Sequence, residues 1–220
     1  MTLRPCIYDP TTLRPFDPIY KRKESTMTEV LGICGSARKK GNTAKLLEEV
    51  LKATGMESEL IFLSDLNVGF CLGCLSCVKN KGVCAKKDDM KALVDKMLAA
   101  KAIVLGTPNY YYSISGLMKN MIDRTISTSY LGIGEYTGMD WHGWRPFVDK
   151  VGGAVICQAA FGGEQARGVF ECFAEYSGLN LVGSVIASCG AQSIDDFPEY
   201  REEAKKLGEK IGETLKSQGS

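Results

Sequence analysis

The chain predicts an α/β fold: a doubly wound, five-stranded parallel sheet covered by helices on both faces. Three observations lead there. Short apolar runs alternate with amphipathic helical segments from Glu29 onward. The 220 residues suit one such domain with an appended segment. Hydrophobic residues at 45% against 24% charged place the chain among globular proteins, outside the disordered range.

Taken in order, Val30 to Cys34 is an apolar run ending in Gly35, and the next helix carries Leu46, Leu47, Val50 and Leu51 on one face. Leu60 to Leu63 is the second strand. Met90, Leu93, Val94, Met97 and Leu98 mark its helix, with Asp88 placed as a cap. Ile103 to Leu105 is the third strand, followed by a helix over Ile114 to Ile126. Val151 to Cys157, a helix over Glu164 to Tyr176, Leu181 to Ala187 and a charged amphipathic helix over Pro198 to Lys216 complete the series. Right-handed crossovers and this count give a sheet of flavodoxin type, with its ligand crevice at the carboxyl ends of the central strands.

The domain is expected over 28–217. Residues 1–27, with Pro5, Pro10, Pro15 and Pro18, have neither helical nor strand periodicity and read as a tail or arm. Two long loops interrupt the alternation: a cysteine-bearing loop over 65–88 after the second strand, and an aromatic, Gly-rich loop over 127–150. Loops of this length in a compact domain are usually functional or disordered.

Lys and Arg number 27 against 26 Asp and Glu, so no basic field exists to hold a nucleic acid or an anionic membrane. No apolar run approaches the roughly 18 residues of a spanning helix, and no signal-peptide core opens the chain. Nine cysteines, four within one short window, fit a metal or redox site in a reducing compartment better than a disulfide framework, which predicts a cytoplasmic protein. The single histidine, His142, excludes chemistry built on two imidazoles.

Gly35-Ser36-Ala37-Arg38-Lys39-Lys40-Gly41-Asn42-Thr43 joins the first strand to the first helix, where backbone N–H groups and the helix dipole favour an anion. Ser36, Asn42 and Thr43 add donors and Arg38 a charge. An ordinary βα turn with Asn42 as N-cap explains the same residues. Neither dinucleotide nor triphosphate glycine fingerprints occur, so a terminal monophosphate fits better. Thr107-Pro108-Asn109-Tyr110-Tyr111-Tyr112-Ser113 leaves the neighbouring third strand and offers amides and aromatic faces to a flat heteroaromatic ring, or else aromatic packing.

Cys71, Cys74, Cys77 and Cys84 form C-x2-C-x2-C-x6-C. That spacing wraps one chain around a cubane and favours [4Fe–4S] over zinc, which more often joins two separated pairs. Lys79, Lys81, Lys86 and Lys87 would offset cluster charge, or simply form a solvated surface.

G-S-A-R-K-K-G-N-T, T-P-N-Y and the helix Ser115-Gly116-Leu117-Met118-Lys119-Asn120 together resemble the flavodoxin-like NADPH-dependent FMN reductase family over about Glu29 to Lys216. The resemblance implies FMN. Ser36, Arg38, Asn42 and Thr43 would hold the phosphate, Pro108, Asn109, Tyr110, Tyr111 and Ser113 would line the isoalloxazine, and Ala159, Ala160, Phe161, Gly162 and Gly163 match a third family loop. The compact cysteines and the Asp88-Asp89-Met90 helix start resemble iron–sulfur flavoproteins within that family. This implies homodimers or dimers of dimers passing electrons from a ferredoxin-like donor, with chemistry borne by the cofactors and no catalytic side chain.

Cys34, Cys157, Cys172 and Cys189 read as small buried apolar residues, and Cys6 has no role. Tyr130, Tyr136, Trp141 and Trp144 would cover the flavin or build an interface, and His142 reads as structural. The expected function is an FMN- and [4Fe–4S]-containing electron-transfer oxidoreductase. Two alternatives stand beside it: an NAD(P)H-dependent FMN or quinone reductase without a cluster, and a flavin-free, zinc-stabilised binding module.

Overall fold

The computed structural model describes residues 28–130 and 145–218. The arm over 1–27, with Cys6, and the stretch holding Tyr136, Trp141, His142 and Trp144 lie outside them.

Five strands, β1 (Val30–Cys34), β2 (Ser58–Phe62), β3 (Ala102–Pro108), β4 (Val151–Gln158) and β5 (Asn180–Ser188), pair in parallel in the order β2-β1-β3-β4-β5. This is the flavodoxin-type order, so the switch point falls between β1 and β3. Every residue of β1 and β3 is buried, as expected of central strands covered on both faces.

Side chains alternate between the faces. Leu31, Ile33, Ile103, Leu105, Ala154 and Ile156 pack against α3 (Met90–Ala99), α4 (Gly116–Thr125) and α5 (Gly163–Ser177). Val30, Cys34, Val104, Val155 and Cys157 pack against α1 (Asn42–Ala53) and α6 (Pro198–Gln218). Helices α1 and α6 meet at Gly208, where a Cβ would collide with the Val50 carbonyl oxygen and the Ala53 methyl. Gly212, one turn on along the same face of α6, likewise has no room for a Cβ beside the Thr54 carbonyl oxygen, so these two glycines set the contact.

Each expected strand and long helix forms, with ends shifted by a few residues. The short helix α2 (Ser76–Lys79), inside the cysteine loop, was not legible from periodicity. Asp88 is not the N-cap of α3, which is Asp89, yet its carboxylate still accepts the Met90 N–H at 3.3 Å. The aromatic loop is anchored at both ends: Ile126–Tyr130 is a 3-10 turn with Tyr130 buried, and Phe147 is fully buried against Phe173. Tyr130 is therefore a packed residue rather than an exposed cover. Cys34, Cys157 and Cys189 are buried as expected, whereas Cys172 is exposed. No helix among the described residues is long and apolar enough to cross a membrane.

Candidate functional site

Beyond β1 the chain is fixed before it turns. Gly35 N–H donates to the Gly106 carbonyl at 2.7 Å, which ties the loop to β3. Ser36 is buried, and its hydroxyl accepts the Arg38 N–H at 3.2 Å. The N-cap of α1 is Gly41 in an extended conformation, with no side chain bonding the first turn and no acidic residue in it. Free N–H groups and the positive end of the dipole therefore face the crevice, the arrangement that receives an anion. Arg38 is exposed there and has no ion-pair partner among the described residues, while Lys39 pairs with Asp65 at 2.8 Å.

Two of the expected phosphate residues have side chains engaged elsewhere. Asn42 is not the N-cap: its Nδ2 donates to the Gln192 carbonyl at 2.9 Å and its Oδ1 accepts the Ile194 N–H at 3.0 Å. It pins the segment after β5 to α1, leaving its backbone N–H for a ligand. Thr43 is buried and bonds the thiol of Cys157, which burial pushes up to about 12. That thiol stays protonated and unreactive at neutral pH.

The loop after β3 is closed at its neck by two hydroxyls the sequence did not single out as functional. Thr107 Oγ1 accepts the Ser115 N–H at 2.9 Å. Ser115, the N-cap of α4, accepts the Met118 N–H at 3.2 Å and donates to the Gly35 carbonyl at 2.7 Å. A serine one residue before a helical period was the available signal. At the tip, Tyr110 and Ser113 exchange backbone hydrogen bonds of 2.9 and 3.1 Å. This closure forces Tyr111 (φ 54°) and Tyr112 (φ 64°) into left-handed conformations that bulky residues rarely adopt. Tyr111 is 99% exposed, so its ring gains no burial in return.

Asn109 reaches the loop after β4. Its N–H donates to the Cys157 carbonyl at 2.7 Å, and its Nδ2 donates to the Phe161 carbonyl at 3.0 Å. Tyr112 and Phe161 lie 5.7 Å apart at 44°. Gly162 stands at φ +95°, and a Cβ there would come within 2.6 Å of the Tyr112 ring and 3.0 Å of Asn109 Nδ2. Pro108 closes β3, and Asn109, Tyr110, Tyr111, Ser113, Ala159, Phe161 and Gly162 occupy two loops joined to each other, side by side with the anion-receptive turn across β1 and β3. Gln158, at the polar end of β4, bonds Gly163 N–H at 2.6 Å and was missed. A polar residue closing an otherwise apolar strand was the only hint.

The cysteine loop is different. Arg124, 2% exposed, bridges Asp88 with bonds of 2.7 and 3.0 Å and donates to the Gly69 carbonyl at 2.6 Å. The Arg124 guanidinium holds the Asp88 carboxyl below its usual range against the opposing effect of burial. Farther out, Cys74 and Cys84 have local partners. Cys74 Sγ lies 3.3 Å from Ser76 Oγ, and that hydroxyl draws its thiol below the ordinary value. Cys77 sits within α2, where burial raises its thiol, and Cys84 Sγ accepts from Arg124 at 3.5 Å. The four line a shallow, largely apolar cavity of about 60 Å³ with Leu72 and Leu75.

Among the described residues no group of three or more His, Cys, Asp or Glu side chains is placed to hold a metal ion. The expected [4Fe–4S] ligand set of Cys71, Cys74, Cys77 and Cys84, and with it the cluster-based electron-transfer function, is overturned. The spacing assumed one irregular loop wrapping a common centre. Instead, left-handed residues at Gly73, Leu75, Lys81 and Gly82 and the helical turn Ser76–Lys79 fold the loop so that the sulfurs, although they line one small cavity, are not placed to hold a common ion.

Known proteins agree on the family. The sequence profile of NADPH-dependent FMN reductases matches residues 28–192. The chain is 30% identical to an iron–sulfur flavoprotein of Archaeoglobus fulgidus, over 86% of this chain and 81% of that one. It is 32% identical to an iron–sulfur flavoprotein of Methanocaldococcus jannaschii, over 86% of this chain and 97% of that one. Among solved structures, a flavone reductase superposes with a TM-score of 0.62 at 23% identity, over 85% of this chain and 62% of that one. An FMN-dependent NADH-azoreductase of Bacillus anthracis, in complex with FMN, gives 0.62 at 12% identity, over 83% and 99%. At these identities the two structures speak to the fold alone. The profile match across most of the domain, together with the paired loops at the β1/β3 switch point, shows that the chain belongs to the NADPH-dependent FMN reductase family of flavodoxin-like proteins.

Proposed function

We propose that the protein binds FMN at the carboxyl edge of β1, β3 and β4 and acts as an oxidoreductase that takes reducing equivalents from NAD(P)H and passes them to a small acceptor such as a quinone or free flavin. The observation that carries this reading is the uncapped N-terminus of α1 beside the exposed Arg38, set next to the β3 loop across the switch point. One end takes a phosphate and the other a flat ring.

The residues present fit FMN. The α1 turn presents backbone donors with no acidic side chain to oppose an anion. Ser36 orders the turn through Arg38 N–H, and Ser115 fixes the distance between the phosphate turn and the ring loop. When bound, FMN supplies the hydride and electron chemistry. The chain's own part is to bind and orient: Asn109 and Gly162 hold the two ring loops together, and Tyr112 and Phe161 supply apolar surface from which water can be excluded.

The reading includes a homo-oligomer, a dimer or dimer of dimers. Tyr110, Tyr112 and Phe161 are each at least half exposed, and a contiguous apolar surface of this kind is usually covered. Sedimentation of the FMN-loaded protein as a monomer would remove that part.

Anaerobic titration tests the core of the proposal. Purified protein incubated with FMN should retain it through gel filtration, and NADPH or NADH should bleach the bound flavin, with the colour returning on addition of a quinone. Failure to retain FMN would overturn the reading.

A further inference from the structure

Gln158 makes bonds that no single neighbour requires. Its Oε1 accepts the Gly163 N–H at 2.6 Å and also faces Asn109 Nδ2 at 3.4 Å. Its Nε2 donates to Ser188 Oγ at 2.8 Å, and the Ser188 hydroxyl lies 3.4 Å from the Ala160 carbonyl. Its backbone carbonyl accepts the Cys189 N–H at 3.0 Å. One side chain therefore touches the loop after β3, the start of α5 and the last residue of β5, and its backbone carbonyl holds the first residue beyond β5.

The orientation of each amide follows in sequence. Gly163 N–H needs an acceptor, so Gln158 must turn its oxygen toward it. Asn109 then faces two acceptors, Gln158 Oε1 and the Phe161 carbonyl, and must turn its nitrogen toward both. The consequence is visible: Asn109 Oδ1 is left buried with no hydrogen-bond partner. An Asn free to choose would not leave a buried acceptor unmade. Its orientation is set jointly by the Phe161 carbonyl at 3.0 Å and by Gln158 Oε1 at 3.4 Å.

We propose that Gln158 is the positioning residue of the ring half of the flavin site, locking the Asn109 and Phe161–Gly162 segments into one wall. This rests on the flavin reading above and goes beyond it, because Gln158 lies outside every loop that reading assigned to the ligand. The phosphate turn is secured independently, through Ser115 to Gly35 and Gly35 to Gly106. Loosening Gln158 should then act on the ring and not on the phosphate.

The test compares Gln158→Met, which keeps length and removes the amide, with Gln158→Glu, which keeps an oxygen for Gly163 N–H while Ser188 reverses its hydroxyl. Dissociation constants for FMN and riboflavin are measured by flavin fluorescence, with the reduction potential of the bound flavin. Gln158→Met should weaken both ligands by the same factor, roughly tenfold or more, and shift the potential, as a site loosened at its supporting shell does. Gln158→Glu should recover most of the affinity. Unchanged binding in Gln158→Met, a loss confined to FMN, or a Glu variant as weak as the Met variant would each overturn the proposal. If Gln158→Met does not fold, Ser188→Ala removes the Nε2 partner, together with the 3.4 Å contact to the Ala160 carbonyl, and should again weaken both flavins equally. Wild-type protein that binds neither flavin would instead sink the flavin reading itself, and the proposal with it.

Discussion

The loops that follow β3, β4 and β5 bond to one another, whereas the cysteine-bearing loop after β2 is held at its two ends. In the first group Asn109 reaches Phe161, Gln158 reaches Gly163 and Ser188, and Gly190 N–H reaches the Ala159 carbonyl at 2.9 Å. In the second, Asn67 N–H meets Asp89, Gly69 meets Asp88 and Arg124, and Asn120 Nδ2 meets the Val68 carbonyl at 2.8 Å. Between these anchors the hydrogen bonds of residues 70–83 stay within the segment, and Phe70, Leu72 and Leu75 stand more than half exposed. A loop becomes a rigid wall by bonding its neighbours. Bonding at the neck alone fixes where a loop leaves the domain and leaves the tip to its own local turns.

Breaking the neck should have the largest effect. Arg124→Met strands the Asp88 carboxylate in a site where its side chain is 8% exposed, and loss of one partner of a buried pair costs about 3–5 kcal/mol. Urea denaturation measures this, and a loss under about 1 kcal/mol would show the pair to be solvent-compensated. The acid limb gives a second readout. With its pKa lowered by Arg124, Asp88 contributes stability that is present above the unfolded carboxylate pKa of about 3.9 and lost as pH falls through the lower folded value. In Arg124→Met only the Gly69 and Met90 N–H groups still oppose burial, so the Asp88 pKa rises from its wild-type position and the variant should lose less stability than wild type on acidification.

Removing the cation at the α1 turn should come next, and it acts on binding rather than folding. Arg38→Ala should weaken FMN by about 1.5–3 kcal/mol, the worth of a hydrogen bond to a charged group, and leave riboflavin unchanged. Calorimetric titration with both ligands decides it. Equal losses would place the phosphate elsewhere.

How far the sequence reached differs between the two regions for a physical reason. Strand and helix periodicity set the sheet and placed the β1–α1 turn, whose residues read equally as a phosphate cradle or as an ordinary βα junction. The cysteine spacing, by contrast, reports distance along the chain, while a ligand set is defined by where the sulfurs point. The left-handed residues Leu75 and Lys81 and the turn Ser76–Lys79 that set those directions carry no Gly or Pro signal of their own. Asn42 illustrates the same limit: its type suits a cap or a phosphate donor, and only the approach of Gln192 and Ile194, some 150 residues away, shows where its side chain is engaged.

Ser115→Ala should have a smaller effect on stability, about 1–2 kcal/mol, because it removes both the cap of α4 and the bond to Gly35. The comparison sharpens if Ser115→Thr, which keeps the hydroxyl, recovers most of the loss in thermal melting. A threonine no better than alanine would mean that the buried space beside Gly35, rather than the hydrogen bond, sets the requirement.

The smallest expected change has the opposite sign. Tyr111 holds φ 54° with its ring almost wholly in solvent, so the conformation is imposed by the Tyr110–Ser113 closure. A left-handed conformation costs a residue bearing a Cβ roughly 1–2 kcal/mol, and glycine escapes that cost while losing more backbone entropy on folding. The difference leaves Tyr111→Gly more stable by about 0.5 kcal/mol. Thermal melting and FMN affinity should be read together on this variant. A rise in melting temperature with weakened FMN would show that the strained tip is kept for the ring it presents, since among the described residues that ring meets only Tyr112, edge-on at 6.4 Å. A fall in melting temperature would mean that the exposed tyrosine makes contacts in solution, as it would at an interface between two copies, and the loop after β3 would then owe part of its shape to a neighbour rather than to the sheet beneath it.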